Sequence, residues 1–318
     1  MRAFRAAEAA AVASLLVLAG CGSDDGPAAM VDNSPEPTSP TAEFPVTVQA
    51  ANGEVVVETE PARIVSLSPT ATETLFAIGA GDAVVAVDDQ SNYPPEAPVT
   101  DLSGFDPNVE AIAEYQPDLV LASGDGPSEL TEGLHRLDVP AIVQPAAADL
   151  DAAYQQIEDI GAATGHPDEA AALVGGMQER IERVQADLPD GPQLSVFHEL
   201  GPDLYTASSD TFIGQVYKQL GLVNVADQAA EQAGTPYPQV SAEYLLSEDP
   251  DLVILADNQC CGVTPEQAAE RPGWDRLTAV QNGTVVVVDE DVASRWGPRI
   301  PEFFEGVADA IWTAQGTG

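Results

Sequence analysis

The residue types with most chemistry to offer gather late in the chain. Arg295-Trp296-Gly297-Pro298-Arg299 sets two guanidinium groups around an indole. A guanidinium stays charged and presents a planar fork of donors, which suits a carboxylate or the anionic rim of a chelate. Tyr237 stands between prolines in Thr235-Pro236-Tyr237-Pro238-Gln239, and Tyr205 follows Gly201-Pro202-Asp203-Leu204 at the end of a strand-like run. Rigid aromatics on loops fit a flat, partly apolar ligand. A plainer reading stands beside this one. Trp296 can cap a core, and its arginines can pair with acids, since the chain has 52 Asp+Glu against 11 Lys+Arg.

Catalytic and metal chemistry are less visible. His135, His166 and His198 are too far apart in sequence to share a helix face, so no local metal-ligand spacing exists. Of the three, His198, followed by Glu199 at a strand end, is the one placed to face a ligand. No Gly-x-Ser-x-Gly elbow or phosphate-binding loop occurs, and Gly124-Asp125-Gly126 lacks the dinucleotide pattern. Carboxylate pairs carry no signal in so acidic a chain. The sequence therefore assigns no catalytic residue, no metal and no cofactor, and points away from an enzyme. Cys260 and Cys261 are adjacent. Neighbouring Cα atoms lie about 3.8 Å apart, below the usual disulfide range from about 4.4 Å. A vicinal bridge is thus strained, with two free thiols or an intermolecular link as the alternatives.

The formal net charge of the 318 residues is −41, and the basic residues beyond Arg2 and Arg5 are scattered. That excludes a nucleic-acid partner and a polybasic membrane anchor, both of which need clustered positive charge. Arg2 and Arg5 precede an apolar run over residues 9–19, too short to span a bilayer and the right length for a secretory signal. It ends in Leu18-Ala19-Gly20-Cys21, which looks like the bacterial lipobox, where Cys21 is lipidated and becomes the new N-terminus. Residues 21–43, rich in Ser, Pro, Gly, Asp and Thr, read as a flexible tether. The expectation is a lipoprotein anchored outside the cytoplasm, an oxidising setting for Cys260 and Cys261.

The elements that must position these residues alternate. Asn52-Gly53 between Val46–Gln49 and Glu54–Glu58 predicts a hairpin. Strands over 63–67, 84–87, 118–122 and 141–143 alternate with helices over 69–79, 108–115 and 128–137, giving a first α/β lobe over 44–148 with a mostly parallel sheet. Helical periodicity then runs through 149–191. Val174, Met177, Ile181, Val184 and Leu188 recur at 3, 4, 3, 4, marking a helix over 167–188 of about 33 Å, long enough to join two lobes. Alternation resumes over 192–318, with strands at 194–198, 251–256 and 284–288 and helices at 211–221, 242–247 and 300–313. The fold class is α/β, with two Rossmann-like lobes joined by a single long backbone helix.

The halves share a unit. Glu110 precedes Pro117-Asp118-Leu119-Val120 at the same spacing at which Glu243 precedes Pro250-Asp251-Leu252-Val253. A capping residue, Asn108 or Ser241, stands two before each glutamate. An acid near a helix N-terminus gains about 0.3–1 kcal/mol from the dipole. That local gain does not explain identical placement in both halves, which suits a partner with a matching two-point surface.

Several runs together carry a resemblance. They are Arg63-Ile-Val-Ser-Leu-Ser-Pro-Thr-Ala-Thr-Glu73, Tyr93-Pro-Pro, Asn108-Val-Glu110, Tyr237-Pro-Gln-Val-Ser-Ala-Glu243 and Arg295 to Arg299. In this order, over about residues 60–315, the chain resembles the helical-backbone substrate-binding proteins of ABC importers, which serve ferric siderophores, haem and cobalamin. The resemblance implies a monomer that docks on the permease through Glu110 and Glu243. It also implies an interlobe ligand site lined by Ser68, Gln90, Ser123, Tyr205, Tyr237, Arg295, Trp296 and Arg299. The segments Asp89 to Pro95 and Thr235 to Gln239 are most similar to the cobalamin branch. Tyr237 stands where that branch has tryptophan, however, and Gln90 and Ser123 where it has aromatics. A ferric siderophore and a corrinoid both remain open as ligand, the arginines favouring an anionic siderophore. A non-transport adhesion or signalling lipoprotein, or a direct metal-ion or haem receptor, are the other readings.

Overall fold

The computed structural model describes residues 43–126 and 128–316. Residues 1–20, Cys21 and all but the last residue of the expected tether lie outside them.

The first lobe opens with an antiparallel hairpin, β1 (Val46–Ala50) and β2 (Gly53–Val57). The Asn52 side chain ties this hairpin to the neighbouring sheet, donating to Ala141 O and accepting from Val143 N. The sheet itself comprises β3 (Ile64–Leu67), β4 (Val84–Val87), β5 (Leu119–Ser123) and β6 (Ala141–Gln144), all parallel, in the order β4-β3-β5-β6. The helices of this lobe are α1 (Pro69–Ala77), α2 (Val109–Ala113) and α3 (Glu129–His135). They cover both faces, which is why β3 reads as an unbroken buried run rather than an alternating one.

Two helices follow, α4 (Leu150–Thr164) and α5 (Pro167–Ala186), with Gly165 in the left-handed conformation between them. The start of α5 lies beside the first lobe, where His166 approaches Gly79. Its end lies beside the second lobe, where Arg180 pairs with Glu305 at 2.8 Å and Gln185 donates to Gln219 O. At 20 residues α5 is about 30 Å long, the joining helix that the periodicity predicts.

The second lobe contains β7 (Ser195–Glu199), β8 (Val223–Asn224), β9 (Leu252–Leu255) and β10 (Val285–Val287), again parallel, in the order β10-β9-β7-β8. Its helices are α6 (Phe212–Gln219), α7 (Asp227–Ala233), α8 (Ala242–Glu248), α9 (Asn258–Cys261), α10 (Pro265–Ala269), α11 (Thr278–Asn282), α12 (Glu290–Ser294) and α13 (Ile300–Ala314). Numbered within each lobe, both sheets have the strand order 2-1-3-4. The repeated Pro-Asp unit has one job in each. Asp118 accepts from Ala62 N and Arg63 N, and Asp251 accepts from Ser195 N and its hydroxyl. Each aspartate thereby clips the start of the third strand to the start of the first. One apolar core takes in Ile64, Leu119 and Leu121 of the first sheet, Met177 and Ile181 of α5, and Val196, Leu252 and Ile254 of the second sheet.

Candidate functional site

In an open parallel sheet, ligands bind at the carboxyl ends of the strands where the strand order reverses. In the first lobe that point lies between β3 and β5, and Ser68 and Ser123 stand there. Ser68 caps α1, and its hydroxyl accepts from Ser123 Oγ at 2.9 Å. A cavity of about 520 Å³ opens over them. Gln90, Phe105 and Gln144 line it from the first lobe, and Asp291, Arg295 and Trp296 face them from the second. Behind the first wall runs a chain of hydroxyls, in which Thr72 bonds Ser91 at 2.9 Å and Ser91 donates to Asp88 at 2.5 Å. Burial pushes the Asp88 carboxyl up from its ordinary range, against the hydrogen bond from Ser91.

The second wall is carried on the segment from α12 to the start of α13. Gly297 lets this segment cross close to α1, since a Cβ there would meet Thr70 Cγ2 at 3.3 Å. The crossing is fastened by Glu73, whose side chain is only 1% exposed. Arg299 donates to both Glu73 oxygens at 2.8 and 2.6 Å, and Arg295 donates to Glu73 at 3.0 Å. Arg295 also donates to Asn92 Oδ1 and Gln90 O and pairs with Asp291 at 2.7 Å. The Arg299 guanidinium lies 4.4 Å above the Tyr93 ring centre. The arginines that the sequence offered as hands for an anionic ligand thus hold the two lobes together. Arg299 does not line the cavity, and Arg295 reaches it already engaged by two carboxylates.

Of the residues expected at the site, the structure brings Ser68, Gln90, Ser123, Arg295 and Trp296 to one cavity. Tyr205 and Tyr237 are not in its lining. Their loops pair with each other instead: Tyr205 bridges Gln239, and Thr206 N and Ser208 N donate to Pro238 O and Pro236 O. Antiparallel alternation puts the two tyrosines on one face as diagonal neighbours, 44% and 42% exposed. His198 does not face the cleft. It is fully buried beside Tyr217 and Phe303, with Nδ1 hydrogen-bonded to the Tyr217 hydroxyl. Burial holds its pKa down at about 3, so the ring is neutral at pH 7. Cys260 and Cys261 are joined as a vicinal disulfide on α9. Among the described residues, no three His, Cys, Asp or Glu side chains gather to hold a metal ion.

Sequence reasoning missed three residues. Glu73 is an acid among the buried positions of α1, and a carboxylate on a buried helix face signals a buried cation. Phe105, in Gly104-Phe105-Asp106-Pro107, is 91% exposed and lines the cavity, so the first wall is not purely polar. Asn92 bridges Asp291 and Arg295 across the lobes. The equivalent strand-end position in the second lobe is filled from within. Buried Glu199 holds Arg271 through two bonds of 2.7 and 2.6 Å, and Arg271 lies 4.5 Å over Trp274. Buried Asp257 beside them has no donor on either oxygen among the described residues. Burial first, and then the charge of Glu199, push its pKa up to about 7.

Glu110 and Glu243 occupy the second position of α2 and α8, behind the caps Asn108 and Ser241. Both are exposed. No hydrogen bond or ion pair engages either side chain among the described residues. Each precedes the third strand of its sheet, so the two lobes present them equivalently.

Two α/β lobes with a shared strand order, spanned by one helix and enclosing a cleft, are the architecture of a solute-binding protein. The chain belongs to the periplasmic binding protein family, which it matches over residues 64–292. It is 32% identical over 314 residues to the uncharacterized ABC transporter substrate-binding lipoprotein YvrC of Bacillus subtilis, covering 96% of each chain. It is 32% identical over 277 residues to a cobalamin-binding protein of Halobacterium salinarum, covering 84% of this chain and 74% of that one. Among solved structures, the periplasmic vitamin B12 binding protein BtuF of Vibrio cholerae superposes with a TM-score of 0.65 at 25% identity, over 80% of this chain and 98% of that one. Among the described residues, no helix is long and apolar enough to cross a membrane.

Proposed function

We propose that this extracytoplasmic substrate-binding protein captures a corrinoid in the interlobe cleft and delivers it to the permease of an ABC importer. The observation that carries the reading is a cleft that offers an anion no unpaired cation among the described residues. Among the described residues Arg295 is the one cation in the lining, and Glu73 and Asp291 both engage it. What remains for a ligand is hydroxyls, amides, the exposed face of Phe105, the indole of Trp296 and the carboxyl groups of Asp88 and Asp125. The Trp296 Nε1–H is buried without a partner among the described residues, a donor in want of an acceptor. Such a wall suits a large ligand with apolar faces and neutral polar arms. It does not suit an anionic chelate, which would also meet Asp125 and Asp291. The likeness to the cobalamin-binding protein of Halobacterium salinarum supports the same class.

The lipobox-like Leu18-Ala19-Gly20-Cys21 and the name of the Bacillus relative support a lipid anchor at Cys21. Cys21→Ala would release the protein from the membrane fraction. Glu110 and Glu243 are the proposed contacts with permease arginines. Ligand class is tested by titrating purified protein with cyanocobalamin and with a panel of ferric siderophores, read by tryptophan fluorescence and calorimetry. Saturable binding of cyanocobalamin that barely responds to salt is expected. Binding of a ferric siderophore but not of cyanocobalamin would overturn the corrinoid reading.

A further inference from the structure

Three features have no part in the interlobe cleft: buried His198, the Cys260-Cys261 pair and Glu290 at the start of α12. They meet at one place. A second cavity, of about 280 Å³, lies behind α12, lined by His198, Ile213 and Cys260 on one side and by Glu290, Asp291 and Ser294 of α12 on the other. Asp291 and Ser294 also line the interlobe cleft, so the two spaces share a wall. The polar groups around the second cavity are unevenly satisfied. Asp291 is occupied by Asn92 and Arg295. Glu290 accepts one bond at Oε2, from Cys260 N at 3.2 Å, which leaves acceptor capacity on its carboxylate. His198 is fully buried, and its Nε2 has no partner among the described residues.

We infer that this cavity is an annex of the ligand site, built to take an uncharged hydrogen-bonding arm of the ligand, a carboxamide, and to reject a carboxylate. Nδ1 of His198 is committed to the Tyr217 hydroxyl. If the hydroxyl donates, Nε2 carries the proton and needs an acceptor; if Nδ1–H donates, Nε2 needs a donor. A carboxamide supplies both, and its NH₂ can donate to Glu290. A carboxylate has acceptors alone and brings a negative charge to Glu290 and Asp291. The vicinal disulfide gives this part of the rim a short, rigid covalent ring in place of two mobile thiols.

The inference rests on the corrinoid reading, and its test separates the two. Cyanocobalamin carries several carboxamide arms, and mild acid hydrolysis converts them one at a time to carboxylates. Affinities of the wild-type protein for cyanocobalamin and for each monocarboxylate are measured by calorimetry. At least one monocarboxylate is expected to bind ten-fold or more weakly, and Glu290→Gln is expected to narrow that gap at least three-fold, with thermal melting as the check on folding. If every monocarboxylate binds as cyanocobalamin does, or the gap in Glu290→Gln equals that in wild type, the annex proposal is overturned while the corrinoid reading stands. If cyanocobalamin itself does not bind, both fall.

Discussion

Glu73 is the residue whose loss should cost most for its size. Its carboxylate is 1% exposed and meets two guanidinium groups that are 10% and 12% exposed. Glu73→Ala leaves both cations buried with their main counter-charge gone. Removing one partner of a buried ion pair costs about 3–5 kcal/mol, because the remaining charge is uncompensated. Arg295 keeps Asp291, Asn92 and Gln90 O, whereas Arg299 keeps only the Tyr93 ring among the partners described above. The loss should therefore sit near the lower end, about 3 kcal/mol, and fall mostly on Arg299. At about 2–4 °C per kcal/mol for a domain of this size, the midpoint of thermal unfolding should drop by about 10 °C. Glu73→Gln keeps the shape and should lose nearly as much, since an amide donor then faces guanidinium donors. The reference is Arg180–Glu305, equally short at 2.8 Å but 38% and 43% exposed, where Glu305→Ala should cost at most about 1 kcal/mol. Denaturant unfolding of the three variants reads these numbers. Equal losses for Glu73→Gln and Glu305→Ala, both below about 1 kcal/mol, would refute the view that this contact fastens the lobes.

The other expectations are briefer. Glu110→Ala/Glu243→Ala should impair uptake in cells ten-fold or more, since charge-assisted contacts contribute about 1.5–3 kcal/mol each, while calorimetry finds ligand affinity unchanged; normal uptake would remove the docking assignment. Trp296→Ala and Phe105→Ala should each weaken cyanocobalamin binding by about ten-fold or more, and unchanged affinity in both would move the ligand elsewhere. Asp257 titrates near 7 when folded, against the ordinary carboxylate range near 4 when unfolded. Between those values the folded state holds the proton that the unfolded state has released, so the Asp257 contribution to stability declines as pH rises from about 4 to 7. Asp257→Asn should abolish that decline, and a stability–pH curve superimposable on wild type would show that Asp257 is ionised throughout.

The fold was largely legible because its signals are long or repeated. The 3, 4, 3, 4 spacing in α5 needs a helix, and two Pro-Asp units followed by buried strands need two like sheets. What escaped were elements too short to show a period. β8 has two residues, and α9 to α12 have four or five each, held by caps such as Thr264 and Asp289 rather than by an apolar stripe. The expected helix over 108–115 shrinks to Val109–Ala113 for the same reason. At the site, composition misled. In a chain with so few cations, Arg295 and Arg299 look free for a ligand, yet surplus acid makes it easier for an internal carboxylate to claim them.

The same fact explains how so acidic a chain can hold two lobes in fixed register. Like charges spread over both lobes repel at short range and are screened beyond about 8–10 Å at ordinary salt. A continuous apolar core resists that repulsion, and the Glu73 contact adds direction, because a bidentate guanidinium pair tolerates little rotation. With the lobes held so, Glu110 and Glu243 should keep a nearly constant separation when the cleft fills. On the proposed reading, ligand recognition then falls to loops and side chains, with Phe105 and Trp296 of the cavity lining first among them. Small-angle scattering should accordingly detect almost no compaction when the ligand binds, and a large compaction would mean that the Glu73 contact opens and closes with the cleft.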